Sequence, residues 1–299
     1  MTSVSLSHDP KWVRANTVFP TSGTGRDVGL LGVPACETSL SPTSAHLTPA
    51  AIRTALARYS TYSTSHDVDL RGFDLRDLGD VDSPDGDDGE QRVATAVENV
   101  RSNHKLLIVL GGDNSITYSV AAGLWPELSN CGLITLDAHL DLRDGHSSGS
   151  PVRRLIQEGM PGRNIVQIGI SDFANSREYT ARAKDAGIYI VTRDTLRKRP
   201  TADIIAEALE VAGADNREIY VDLDVDVCDR SVAPACPASV PGGITADELR
   251  QVAFLAGADP RVRALDITEI DAAMDTPDQR TIRLGALLVL EAASGVATR

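Results

Sequence analysis

A doubly wound α/β fold, a single domain built on a mainly parallel sheet flanked by helices, follows from three features of the sequence. Short apolar runs rich in Val and Ile recur along the chain, stretches of helical period alternate with them, and Gly, Pro or Asp marks most junctions. Runs that are hydrophobic on both alternating faces suit strands buried in a parallel sheet. Strand–helix alternation then implies right-handed crossovers. In order, strands are predicted over 28–33, 106–110, 132–136, 165–170, 188–191, 219–225 and 262–267. Helices are predicted over 50–59, 90–100, 177–186, 202–212 and 246–256, with a final apolar helix near Leu290. Thr48-Pro49 offers a cap and a first-turn proline to the first helix. Thr245 followed three residues on by Glu248 makes a capping box for the helix over 246–256. Residues 1–25, polar and rich in Ser, Thr and Pro, read as an N-terminal arm, and 26–299 as one domain. The acidic stretch 83–89 reads as a surface turn rather than a boundary.

Composition narrows the function. The 299 residues are 42% hydrophobic and 24% charged, enough for a sizeable core. A formal charge of −13 argues against nucleic acid as a partner, and no apolar run is long enough to span a membrane. The four Cys show no CxxC spacing, and residues 1–20 lack a signal pattern, so a cytoplasmic protein is expected. Cys228 and Cys236 read as buried structural thiols.

Ligands bind beyond the carboxyl ends of the strands in doubly wound sheets. The residues that follow the apolar runs are Gly111-Gly112-Asp113-Asn114-Ser115, Asp137-Ala138-His139-Leu140-Asp141, Asp222-Leu223-Asp224-Val225-Asp226 and Glu269. Carboxylates crowded at one edge repel one another and raise each other's pKa unless a cation holds them ionised. Alternate residues of DxHxD and DxD share one side of an extended segment. Acids with one imidazole suit a hard or borderline divalent ion such as Mn2+, and shared carboxylates can bridge a pair of ions that activates water. For Asp113 and Asp144, turn formation and a place in the site stand as equal alternatives, whereas Asp222 reads as a cap or turn former.

GGDNS, DAHLDLRD, DLDVDVCDRSVAPACPASVPGG and DITEID, in this order, resemble the arginase and agmatinase (ureohydrolase) family. The resemblance runs from Asp27 to near Leu290. It implies a binuclear manganese centre, hydrolysis of a C–N bond in an amidine or guanidine, and a homo-oligomer, either a trimer or a hexamer. By resemblance, Asp137 and Asp224 bridge the ions, His139 and Asp226 complete one shell, and Asp141 belongs to the other. Asp229 supports the loop, and Glu269 holds the cationic nitrogen group of the substrate. Where the family usually reads GGDHS, this chain has Asn114. An amide oxygen is a weaker donor than imidazole, so the site that includes Asn114 is expected to bind its metal weakly or stand empty.

Ser148 stands where arginases carry a proton-shuttling His, and His146, two residues earlier, reads as a surface residue, with substitution for that shuttle as the alternative. SSGSP, Arg143, and Ile168-Gly169-Ile170 followed by Asn175-Ser176 resemble the formimidoylglutamase branch. Its substrate carries two carboxylates, for which Arg143, Arg153 and Arg154 are the available cations. Arg143, Ser148, Arg153, Asn175 and Glu269 are therefore expected to bind substrate, and Asp141 and Glu269 to act in catalysis. The expected reaction takes N-formimidoyl-L-glutamate to L-glutamate and formamide, as in histidine degradation. Asp141 serves the departing amine. The alternatives are a guanidine hydrolase releasing urea and a metal-poor homologue without activity.

Overall fold

The structure, a computed structural model, describes residues 9–299. The first eight residues of the expected N-terminal arm lie outside the described residues. Of the remainder, residues Ala15–Val18 form a short 3-10 turn, and Ala15 and Phe19 are buried against the core.

The strands are β1 (Val28–Val33), β2 (Tyr62–Ser63), β3 (Val68–Asp69), β4 (Leu75–Asp80), β5 (Leu106–Gly111), β6 (Cys131–Leu136), β7 (Ile165–Ile170), β8 (Tyr189–Thr192), β9 (Glu218–Asp224) and β10 (Val262–Thr268). Apart from the small β2–β3 hairpin they make one eight-stranded sheet, in the order β4-β1-β5-β10-β9-β6-β7-β8. Every pairing within it is parallel. The predicted architecture is the one observed.

Helices α1 (Thr48–Leu56), α2 (Gly89–Val100), α3 (Ile116–Leu124), α4 (Pro151–Gln157), α5 (Arg177–Ala186), α6 (Arg193–Leu196), α7 (Thr201–Ala212), α8 (Ala246–Ala258) and α9 (Arg280–Val296) cover the faces. Alternate residues of a strand enter opposite layers. Leu106, Ile108 and Leu110 pack with Ile52 of α1, Ile204 of α7, Leu249 of α8 and Leu288 of α9. Leu107 and Val109 pack with Val97 of α2, Val120 of α3, Leu155 of α4 and Ala183 of α5. Burial on both faces is why these strands read as unbroken apolar runs.

β4 was not predicted. It is an edge strand with only Leu75 buried, and its charged residues suit an edge that must not pair further. Arg53 of α1 bridges Asp77 (2.8 Å) and Asp80 (2.5 Å) across it. The capping box on α8 forms as expected. Thr48 does not cap: it is the first residue of α1, and its hydroxyl donates to Ile270 O (2.5 Å), tying the helix to the loop after β10.

Candidate metal centre and active site

Because the strands are parallel, the segments that follow β5, β6, β9 and β10 emerge at one edge of the sheet, as predicted. The glycine pair after Leu110 has a steric cause: a Cβ on Gly112 would lie 1.7 Å from Ala35 O. Backbone amides then orient the acids. His139 N–H donates to Asp137 Oδ1 (2.6 Å), Ala138 N–H to Asp226 Oδ1 (3.2 Å), and Asp226 N–H to Asp224 Oδ1 (2.9 Å). Asp141 and Glu269 take positive φ values of 50° and 63°, a conformation that costs energy outside glycine and clusters at functional sites.

The tightest cluster among the described residues is Asp137, His139 and Asp226, whose donor atoms all lie within 4.8 Å of one another. His139 Nδ1 is 2.9 Å from Asp226 Oδ2 and 3.3 Å from Asp137 Oδ1. Asp141, Asp224 and Glu269 line the same cavity of about 300 Å³, and Asp137 is buried. Asn114 also lines it, but as a donor. Its Nδ2 donates to Asp141 Oδ2 (2.5 Å), while its Oδ1 accepts from Thr117 Oγ1 (2.8 Å) and Thr268 Oγ1 (3.3 Å). A carboxylate only accepts, so it draws the NH2 rather than the amide oxygen, contrary to the expectation that Asn114 offers oxygen to a metal.

Electrostatics point to a cation. Burial, then repulsion from Asp226, raises Asp137 to about 6. Burial, then Asp113, raises Glu269 to about 8. Burial also lifts Asp141 and Asp224 well above the carboxylate range, with neighbouring acids adding to it. Burial disfavours the His139 imidazolium, yet hydrogen bonds to Asp137 and Asp226 outweigh it and push the group up to about 12. Burial likewise opposes Asp226, but His139 holds it below its ordinary value. Asp137 Oδ2 is buried with no hydrogen-bond donor. An acid-rich donor set with one imidazole and an orphaned inner oxygen fits a divalent cation of the Mn2+ type.

A pH dependence follows. Without metal, carboxyls whose folded pKa lies above the unfolded value hold their protons more tightly in the native state, so stability falls as pH rises through that window. Here it runs from ordinary values of 3.8 and 4.5 to about 6 for Asp137 and about 8 for Glu269. A cation removes the penalty. The rise in Tm caused by Mn2+ should therefore be larger at about pH 8 than at about pH 5, by about 5 °C or more, in a thermal melt with and without chelator.

Around the acids, Arg143, Ser148, Asn175 and Tyr179 line the cavity. The Arg143 guanidinium has no protein partner among the described residues. Ser148 Oγ accepts from Leu40 N–H (3.3 Å), joining two rim loops. Asn175 clamps the DAHLD segment, accepting from Leu140 N–H (2.8 Å) and donating to Ala138 O (3.0 Å), so its amide is spent on backbone.

Arg153 does not line the cavity. Its guanidinium donates to Arg143 O (2.7 Å), Gly145 O and Gln157 Oε1 (2.5 Å), which makes it a brace for the loop that carries Arg143 rather than a substrate group. Arg154 pairs with Glu90 (2.5 Å) and stacks on Tyr118. His146 sits 2.9 Å from the same Glu90.

Asp113 and Asp229 form turns, accepting from Ser115 N–H (3.0 Å) and Ser231 N–H (2.8 Å) respectively. Asp144 lies outside the cavity, paired with Arg182. Asp222 is no cap: it is fully buried on β9, in register with Asp266 of β10. Cys228 and Cys236 are free and buried, and burial pushes the Cys228 thiol up to about 12, which leaves it inert. Sequence reasoning missed Gln167, which donates to Leu140 O (3.0 Å), and Tyr179 at the cavity wall. Neither belongs to a motif.

Residues 26–295 match the family model of the arginase family. The chain belongs to that family. Within the arginase family, it is 34% identical to a formimidoylglutamase of Bacillus subtilis (strain 168) over 284 residues, covering 91% of this chain and 89% of the relative. The crystal structure of formimidoylglutamase from Bacillus subtilis subsp. subtilis str. 168 superposes with a TM-score of 0.91 at 32% identity, covering 99% of this chain and 95% of the other. A Trypanosoma cruzi formiminoglutamase crystallised with Mn2+ shares the fold, with a TM-score of 0.87 at 24% identity, covering 96% of this chain and 99% of the other. Among the described residues, no helix is long and apolar enough to cross a membrane.

Proposed function

We propose that this arginase-family chain is a manganese-dependent formimidoylglutamase, which hydrolyses N-formimidoyl-L-glutamate to L-glutamate and formamide. The observation that carries the reading is the polarity of one cavity. Its floor is acidic, with Asp141, Asp224, Asp226 and Glu269, carboxyls whose ionised forms a cation would stabilise, and its rim carries the unpaired Arg143. The substrate has the opposite polarity, with a cationic amidine head and two carboxylates. Similarity to formimidoylglutamases over nine-tenths of the chain supports the choice.

Asp137, His139, Asp141, Asp224 and Asp226 would hold the manganese, which supplies an acidified water when bound. Glu269 lines the cavity and accepts a hydrogen bond from Asn114 N–H (2.8 Å), so its charge is aimed at the amidine nitrogens. Asp141, steadied by the Asn114 amide, is placed to pass a proton to the departing amine. Arg143 grips a substrate carboxylate with paired hydrogen bonds. The same reading takes residues 26–299 as the catalytic domain behind an N-terminal arm, acting as a cytoplasmic homo-oligomer. The four free cysteines are in keeping with a reducing compartment.

Purified protein supplied with Mn2+ should release glutamate and formamide from N-formimidoyl-glutamate. Urea release from agmatine or arginine, with no formamide, would overturn the substrate assignment. Arg143→Gln should raise KM by about tenfold or more with kcat little changed, because one charge-assisted carboxylate contact is lost from both ground and transition states. Steady-state kinetics with the formimidoyl substrate checks this.

A further inference from the structure

The opposite edge of the sheet carries the opposite charge. β4, β1, β5 and β10 are consecutive neighbours in the sheet, and each contributes one cation at or beside its amino end. These are Arg76 on β4, Arg26 ahead of β1, Lys105 ahead of β5 and Arg263 on β10. All four line one cleft of about 690 Å³, together with Ser102 and Asn103, and no carboxylate is in its lining. In a chain with 42 acids and 29 Lys and Arg, a cleft of that composition is not a sample of the average surface.

Two of the cations are partly neutralised from outside the cleft: Lys105 by Asp27 (2.8 Å) and Arg263 by Glu218 (3.5 Å). The Arg26 and Arg76 guanidinium groups have no hydrogen-bond or ion-pair partner among the described residues. Asp74 is the nearby acid: Thr24 Oγ1 and the Gly25 and Arg26 amides occupy its oxygens, and it meets the Arg26 charge only at a distance, without a direct ion pair. Arg76 Nε is buried with no acceptor. A desolvated guanidinium N–H calls for an anionic acceptor, and planar guanidinium groups match oxyanions with paired hydrogen bonds. Behind the cleft, the three guanidinium nitrogens of Arg299 donate to Gly257, Lys105 and Val262 carbonyls rather than to an acid.

We propose that this cleft binds a doubly charged phosphate-type oxyanion, either inorganic phosphate or a phosphate monoester, at a site separate from the catalytic cavity. Ser102 and Asn103 supply neutral donors beside the Arg26 and Arg76 forks.

The test is calorimetric titration of the manganese-loaded protein with inorganic phosphate, adenosine monophosphate and glutarate in turn. Saturable phosphate binding is expected, weakened about tenfold or more by Arg76→Gln and again by Arg26→Gln, with turnover unchanged in both variants. Binding of the monophosphate at least as tight as phosphate assigns the site to esters, and binding of phosphate alone assigns it to the free anion. Arg26 is exposed, so its variant carries the test even if Arg76→Gln fails to fold. No saturable binding, unchanged affinity in both variants, or glutarate binding as tightly as phosphate would overturn the proposal.

Discussion

Replacing Asp137 with Asn should lower kcat/KM by about 10³-fold or more, while the metal-free protein melts no lower than the parent. Both halves follow from one environment. Asp137 is 1% exposed, its Oδ2 has no hydrogen-bond donor, and burial with Asp226 nearby raises its pKa to about 6. A buried carboxylate in that position is costly unless a cation meets it, and an amide of the same shape relieves the cost. The side-chain oxygen of Asn can still accept from His139 N–H, which Asp137 Oδ1 now does at 2.6 Å. The variant therefore loses a metal-binding charge but not the turn. Manganese-induced stabilisation should shrink in parallel with turnover. Steady-state kinetics paired with thermal melts in chelator separates this outcome from misfolding, which would lower the melt as well.

Glu269→Gln should lower kcat/KM by about 10²- to 10³-fold toward the cationic amidine, with manganese content unchanged. Glu269 is 8% exposed, lines the cavity, and is held by Asn114 N–H on one side and by its own N–H to Gly112 O (2.9 Å) on the other. Its φ of 63° is sustained by those contacts and by Ile270 O, which accepts from Thr48. Gln preserves the shape and can keep the Asn114 contact, so the change isolates charge. With burial and Asp113 holding the acid at about 8, only a cation close by keeps it ionised at neutral pH, and the substrate supplies one. Metal analysis beside kinetics checks the result: loss of manganese in this variant would instead make Glu269 part of the metal centre.

The elements that could be read from sequence are those whose physics is local. β5, β6, β7 and β9 are buried along nearly their whole length, so apolar runs marked them. β4 gave no such run because this edge strand carries the charged Arg76, Asp77 and Asp80, with only Leu75 fully buried. α3 escaped because it is apolar almost all round: buried on most sides, it has no polar face to impose a period. In the site, DxHxD and DxD were legible because alternation at a strand end fixes which side chains converge.

Arg153 and Asn175 were harder, since loop path decides them. The left-handed turn at Asp141 and the loop through Gly145 bring backbone carbonyls to Arg153, and Asn175, expected to bind substrate, spends its amide on the backbone of the DAHLD segment. Asn114 was legible as a departure in the motif, but its orientation is decided by neighbours in the fold, with Asp141 drawing the NH2 and the Thr117 and Thr268 hydroxyls holding the oxygen.

The claim beneath these expectations is that Asp137, His139 and Asp226, with Asp141 and Asp224, hold manganese at the carboxyl edge of the sheet. Anomalous scattering at the manganese edge from crystals grown with Mn2+ tests it most directly. A peak within bonding distance of Asp137, His139 and Asp226 is expected. A manganese-saturated crystal with no peak at that edge, from protein that retains full turnover in chelator, would contradict it.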